Sequence, residues 1–297
     1  MKFKPRKAGR FFPYSGNKLR HIPDYLELGL LPDLSGKTLY SPFIGSGALE
    51  LHWPGAPHVA YHDANSRLMQ FYAAAASDPE HLLGALRKAN EILLEAQGGR
   101  LKKALKFEKF GTVGELAKRA CDAYFGPHHW ARDRVEDALE VVLQLSLGGV
   151  VQGTWSCKQV YLKNSIDVER FEKALAKMQY FEEVSWRRWF RQPRPISGLP
   201  FYKNARSCDF LYLDPPYGGT SGVYGNKKAG FANVPKAVSR MVAEAKKLGI
   251  PGLLSYGDTY AEDFPELEFQ LVKTKTVPKV RGGGSIKRGE YVHKWGY

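Results

Sequence analysis

Residues 208–217 read Cys208-Asp209-Phe210-Leu211-Tyr212-Leu213-Asp214-Pro215-Pro216-Tyr217, a short apolar run stopped by an acid and two prolines. The run predicts a strand over 208–214, the strongest strand signal in the chain. Downstream come a polar, glycine-rich loop (218–230) and a helical pattern at 234–248. Three further runs, 251–257, 266–275 and 289–296, read as closing strands. Upstream, KTLYSPF (37–43) and PHVAYHD (57–63) read as strands, with helical spacing at 65–76 and 78–96. In the longer helix Leu82, Leu83, Leu86, Ile92 and Leu93 share one broad face. A helix over 167–180 and a strand over 182–187 complete the pattern. Strands alternating with helices predict an α/β, Rossmann-like fold, with a parallel-rich sheet covered by helices on both faces.

Between 98 and 165 the character changes. Lys102, Lys103, Lys106, Lys109, Lys118 and Arg119 accumulate, two helices are predicted at 113–124 and 132–147, and GGVVQGTWSCKQVYLKN closes the stretch. Residues 77–165 thus read as a mainly helical insertion, and 1–76 with 166–297 as the discontinuous main domain. With 297 residues and 43% hydrophobic content the chain can bury a large core. Lys and Arg number 44 against 30 acids, a formal charge of +14 that attracts polyanions such as phosphate backbones. The three cysteines, Cys121, Cys157 and Cys208, make no C-x-x-C pair, which argues against a disulfide framework or a zinc knuckle. MKFKPRKAGRFF lacks the apolar run of a signal peptide, and no stretch reaches the roughly 20 apolar residues of a membrane span. A reducing, cytoplasmic setting is expected.

The tetrapeptide Asp214-Pro215-Pro216-Tyr217 follows its strand directly, and ligands of open α/β sheets collect where strands end. An aromatic amino group is a weak nucleophile because its lone pair is delocalised into the ring. Acceptors for both of its hydrogens favour a more pyramidal nitrogen. The Asp214 carboxylate can be one acceptor and a carbonyl held by the proline rings the other. Tyr217 then offers a flat face for a flipped base. A proline-rich turn with Tyr217 in the core is the plainer reading. A second strand end carries Ser41-Pro42-Phe43-Ile44-Gly45-Ser46-Gly47 before a helical start, where G-x-G lets backbone approach a ligand. Asp63 ends the next strand and can accept from both hydroxyls of a ribose, or simply cap a helix. Phe12-Pro13-Tyr14-Ser15-Gly16-Asn17-Lys18 adds a lysine able to meet a carboxylate of a bound ligand, with Tyr14 beside it; otherwise these are a solvated lysine and a core tyrosine.

In this order, FPYSGNK, SPFIGSGALE, YHDAN and LYLDPPY resemble the Dam-type family of DNA adenine methyltransferases, over roughly residues 10–75 and 180–297. The resemblance implies S-adenosylmethionine held by Tyr14, Gly16 and Lys18, by Pro42, Phe43, Gly45 and Gly47, and by Asp63 at the ribose. It implies transfer of a methyl group to the adenine amino group at Asp214, Pro215, Pro216 and Tyr217, with no metal, and an insertion that reads DNA. The family often places an acid directly before the P-F pair; this chain has Ser41.

The partner expected is double-stranded DNA. Lys273, Lys275, Lys279, Arg281, Lys287, Arg288 and Lys294, against the single acid Glu290, suggest phosphate contact. Trp189 and Phe190, within an arginine-rich run, read as core or as lining for the cofactor's adenine. His128-His129 lacks partners at metal-ligand spacing and reads as surface or DNA-facing. Neither a G-x-S-x-G elbow nor a Walker loop occurs. The competing readings are methylation of another amino acceptor (cytosine, RNA or a protein glutamine) and a DNA-binding module without catalysis. A monomer or weak dimer is expected, solitary or paired with a nuclease in restriction–modification.

Overall fold

Strands β1 (Thr38–Ser41), β2 (His58–Tyr61), β3 (Phe181–Glu183), β4 (Phe210–Leu213), β5 (Gly252–Tyr256), β6 (Gln270–Pro278) and β7 (Ser285–Trp295) join into one sheet. Their order is β3-β2-β1-β4-β5-β7-β6. The computed structural model describes residues 4, 7–14, 18–96, 112–126, 129–147, 166–183, 208–216, 234–278 and 285–297. The first five strands in that order are parallel, and β7 runs antiparallel to both β5 and β6. The arrangement is the expected Rossmann-like one, with an antiparallel hairpin at one edge. From β1 the chain builds outward to β2 and β3, then returns to lay β4 and β5 on the other side. The reversal falls between β1 and β4, where Leu39 pairs with Phe210 and Tyr40 with Leu211. In open α/β sheets such a switch point leaves a crevice beyond the strands' carboxyl ends.

Every residue of β1, β4 and β5 is buried. The reason is a period of two that feeds two cores. Leu39, Val59, Tyr61, Phe210, Tyr212 and Leu253 face one apolar cluster, while Tyr40, Ala60, Leu211, Leu213, Leu254 and Tyr256 face the other. A strand buried on both faces needs helices on both faces. The second cluster is closed by Val238, Met241, Val242 and Ala245 of α7 (Val234–Lys247) and by Phe264, just after the short α8 (Tyr260–Asp263). On the first face lie α1 (Ile22–Glu27), α2 (Ser66–Ser77), α3 (Pro79–Ala96), α4 (Val113–Phe125), α5 (Arg132–Leu147) and α6 (Val168–Leu175).

Local chemistry explains where these helices begin. The Asn65 side chain accepts from the amides of Arg67 and Leu68, capping α2. Thr112 and Glu115 form a reciprocal capping box at α4, and Gly126 ends that helix at φ 74°. Within the stretch read as an insertion, Leu82, Leu86, Leu116, Leu139 and Leu143 belong to the same apolar cluster as Leu39, Val59 and Phe71. These helices share the core of the sheet.

Three element bounds differ from expectation. The helix expected over 167–180 ends at Leu175 and is followed by a 3-10 turn, Met178–Tyr180, because Phe181 must enter the sheet beside Val59. The strand expected over 266–275 begins at Gln270, since the Leu267 amide closes a turn on the Phe264 carbonyl and Phe269 packs on Tyr260. β7 starts at Ser285, four residues earlier than expected, because its added residues pair with Thr276, Val277 and Pro278 of β6.

Candidate active site

The two sharpest sequence features stand on neighbouring strand ends. The loop 42–47 leaves β1 and Asp214 leaves β4, on either side of the switch point. Within the loop Gly45 and Gly47 have φ 50° and 61°, left-handed values that side chains resist. Space is also tight there. A Cβ at 45 would stand 3.2 Å from the Tyr14 ring, and one at 47 would stand 2.8 Å from the Tyr72 hydroxyl. The Tyr72 hydroxyl donates to the Gly45 carbonyl (3.1 Å), and the Ile44 amide donates to the His62 carbonyl (2.9 Å). Asp63 accepts from the Gly45 amide through one oxygen and from the Asn65 amide through the other, both at 2.9 Å. The residue expected at a ribose therefore also fastens the glycine loop. A carboxylate offers about four acceptor positions, so these two bonds leave room for a ligand hydroxyl. Burial pushes the Asp63 carboxyl above its ordinary range, offset in part by those amides.

Asp214, with 21% of its side chain exposed, sits at the rim of the crevice. Lys18 reaches it from the N-terminal segment at 3.1 Å, and the Ser255 hydroxyl of β5 donates to the same carboxylate oxygen at 3.2 Å. The Tyr212 and Ser255 hydroxyls are hydrogen-bonded at 3.1 Å. Lys18, only 4% exposed, also pairs at 2.8 Å with Glu290 of β7, which accepts from the Tyr25 hydroxyl of α1 at 2.7 Å. One ammonium thus serves two carboxylates. Burial raises Asp214 to about 6, although Lys18 draws it down, so it is ionised at neutral pH. At Lys18 burial favours the neutral amine, but Asp214 and Glu290 outweigh it and hold the ammonium well above its usual range. At Glu290 burial is likewise outweighed, mainly by Lys18, and the carboxyl lies below its ordinary value.

A further carboxylate stands beside these. Glu50 opens the 3-10 turn Glu50–His52 after the glycine loop, is 5% exposed, and accepts from the Ser41 hydroxyl at 2.6 Å. At the position where the resembled family often carries an acid, this chain has a hydroxyl that binds a carboxylate from nine residues further on. Burial lifts Glu50 to about 7 against the pull of Ser41, and Asp214 adds a smaller push.

The expected residues Tyr14, Gly45, Gly47 and Asp63 come together, and Lys18 lies against Asp214. Lys18, read as a partner for a ligand carboxylate, is paired here with two carboxylates of the protein. Pro215 is buried and Pro216 half-buried beside Asp214, while Pro42 is buried and Phe43 packs partly buried on the α7-side cluster. Gly16, Tyr217, His128, Trp189 and Phe190 lie outside the described residues. His129 stacks on Phe125 and Trp130, and among the described residues no group of three or more His, Cys, Asp or Glu could hold a metal. No described helix is long and apolar enough to cross a membrane.

Sequence reasoning assigned no role to Glu50, Glu290, Tyr25 or Ser255. Two carried a signal. Glu290 is the lone acid in a basic stretch, and Glu50 interrupts the largely apolar run Ala48–Trp53. Tyr25 and Ser255 carried none.

The fold is α/β, and the candidate site residues gather at the β1–β4 switch point. Residues 14–111 match the family model described as D12 class N6 adenine-specific DNA methyltransferase, a stretch that holds Tyr14, Lys18, the glycine loop and Asp63. Over that stretch, about a third of the chain, it is similar to a class of methyltransferases that act on the N6 amino group of adenine in DNA. No curated protein matches it.

Proposed function

We propose that the crevice at the switch point holds S-adenosylmethionine along the 42–47 loop and receives an adenine, flipped out of duplex DNA, against Asp214. The observation that carries this reading is the 3.1 Å ion pair between Lys18 and Asp214. It ties the family-matched segment to the D-P-P-Y tetrapeptide, which lies outside that match.

The residues fit the cofactor. Two glycines in left-handed conformations keep the loop free of side chains, Tyr14 lies over Gly45, and Asp63 retains acceptor capacity for ribose hydroxyls. When bound, S-adenosylmethionine supplies an electrophilic methyl group. The chain's own part is to position and to accept. Asp214, kept ionised beside Lys18, accepts one amino hydrogen of adenine, and the Pro215 carbonyl accepts the other. Both bonds draw the nitrogen toward a pyramidal geometry and expose its lone pair. The buried setting of Tyr212, Ser255 and Lys18 behind Asp214 keeps water from competing for that carboxylate. Tyr217 completes the proposal as a stacking face.

DNA would be gripped through phosphates. On the β6–β7 hairpin Arg288 and Lys294 are exposed, whereas Lys273 already pairs with Asp24 at 3.0 Å. The side chains of Lys275 and Lys287, and all of Lys279 and Arg281, lie outside the described residues. The segment 77–165 is proposed to contribute to reading the duplex.

Tritiated S-adenosylmethionine offered with duplex DNA, RNA and protein should label only the DNA, as N6-methyladenine after digestion. Asp214→Ala should lower turnover by about 10²-fold or more while DNA affinity stays within twofold, in line with loss of a preorganised contact to the reacting group. Undiminished turnover in that variant would remove the assignment.

A further inference from the structure

We propose that Glu50 is the anionic anchor for the ammonium group at the amino-acid end of S-adenosylmethionine, with Ser41 orienting its carboxylate. The inference rests on the cofactor reading above and adds to it a residue and the chemical group that residue takes.

Glu50 is almost wholly buried. Among the described residues its hydrogen-bond partners are neutral donors: the Ser41 hydroxyl at 2.6 Å and the backbone amides of Leu49 and Glu50. Among the described residues no lysine, arginine or histidine pairs with it, in contrast to Asp214 and Glu290, which share Lys18. A buried carboxylate is stable as an anion only when charge and hydrogen bonds answer it. Here the hydrogen bonds are present and the positive charge is not, so a cationic ligand group would complete the site.

Place narrows the ligand. Tyr72 feels Glu50, Asp63 and Tyr14 electrostatically, and Tyr212 feels both Asp214 and Glu50. Glu50 therefore lies within electrostatic reach of side chains that also feel the residue proposed for the ribose and the residue proposed for the reacting nitrogen. The cofactor offers two cations there, a sulfonium and an ammonium. Only the ammonium carries N–H donors, and a carboxylate already oriented by a hydroxyl and two amides is built to accept such bonds.

Calorimetric titration of the full chain with two ligands tests this. S-adenosylhomocysteine keeps the ammonium and has no sulfonium; 5′-methylthioadenosine keeps the nucleoside and lacks the amino-acid arm. Glu50→Gln, which preserves the acceptor for Ser41, should weaken S-adenosylhomocysteine by about 10-fold or more, the scale of a charge-assisted bond, and leave 5′-methylthioadenosine within twofold. Ser41→Ala should weaken S-adenosylhomocysteine less, again without touching 5′-methylthioadenosine, and serves as the second probe should the Gln variant fail to fold. Equal losses for both ligands, or no loss for either, would overturn the role of Glu50 alone. A wild-type protein that binds neither ligand would overturn the cofactor reading and this inference with it.

Discussion

Half-buried Asp214 and buried Glu50 are two neighbouring carboxylates of the candidate site, treated in opposite ways. Asp214 has Lys18 at 3.1 Å and a serine hydroxyl at 3.2 Å, and titrates near 6. Among the described residues Glu50 has neutral donors as its hydrogen-bond partners, and burial lifts it to about 7. Both lose hydration, and burial is the largest influence on each; what separates them is a cation built into the fold. The chain keeps a fixed positive charge beside the carboxylate proposed to accept from substrate. It leaves unanswered the one proposed to meet a charged ligand.

The largest effect that would break this contrast is removal of the fixed cation. Lys18→Met leaves Asp214 and Glu290 buried without their ammonium, and urea denaturation should show a loss of about 3–5 kcal/mol. Adding Glu290→Gln to that variant should restore much of the stability without restoring turnover. A loss no larger than that of an ordinary surface lysine would mean that Lys18 is not the keystone of this cluster.

Next in size is a stability difference that depends on pH. Glu50 is raised from its ordinary 4.5 to about 7, so its contribution to folding is full below about 4.5 and is lost as pH rises through about 7. Without ligand, Glu50→Gln should therefore melt above the wild type at pH 8, by on the order of 3 kcal/mol, and the gap should close near pH 4. A gap that is constant with pH would show that Glu50 does not titrate in this range.

A kinetic test sharpens the other side of the comparison. The proposed role needs Asp214 ionised, so turnover should fall as pH drops through about 6. Glu290 pushes the Asp214 carboxyl up, so Glu290→Gln should move this fall to lower pH. An unmoved profile would uncouple the two carboxylates. The smallest effect is expected for Ser255→Ala, which removes one neutral hydrogen bond to Asp214. About 1 kcal/mol of stability and less than tenfold in turnover should be lost.

The parts of this design that are local in sequence were legible there. Apolar runs ending in Asp63 and Asp214 marked β2 and β4, and G-x-G marked the loop, because strand period and backbone freedom leave a short-range trace. The clusters were not legible. Lys18, Tyr25, Ser255 and Glu290 come from four elements; the strand order β4-β5-β7 sets Ser255 and Glu290 near Asp214, and the N-terminal segment brings Lys18 and Tyr25 to those carboxylates. Glu50 read as one residue of a helical start until the fold turned it onto Ser41. The edge strand β6 was misplaced because Leu267 and Phe269 look like strand residues, yet they pack in a turn around Phe264 and Tyr260.

The hydrogen bond from Tyr25 to Glu290 spans 265 residues and joins α1 to the closing strand. During synthesis Lys18 can have only one of its two carboxylate partners, Asp214, until β7 emerges with Glu290. A chain stopped before β7 thus carries the motifs around Lys18, the glycine loop and Asp214 and still lacks the second carboxylate of the charge arrangement.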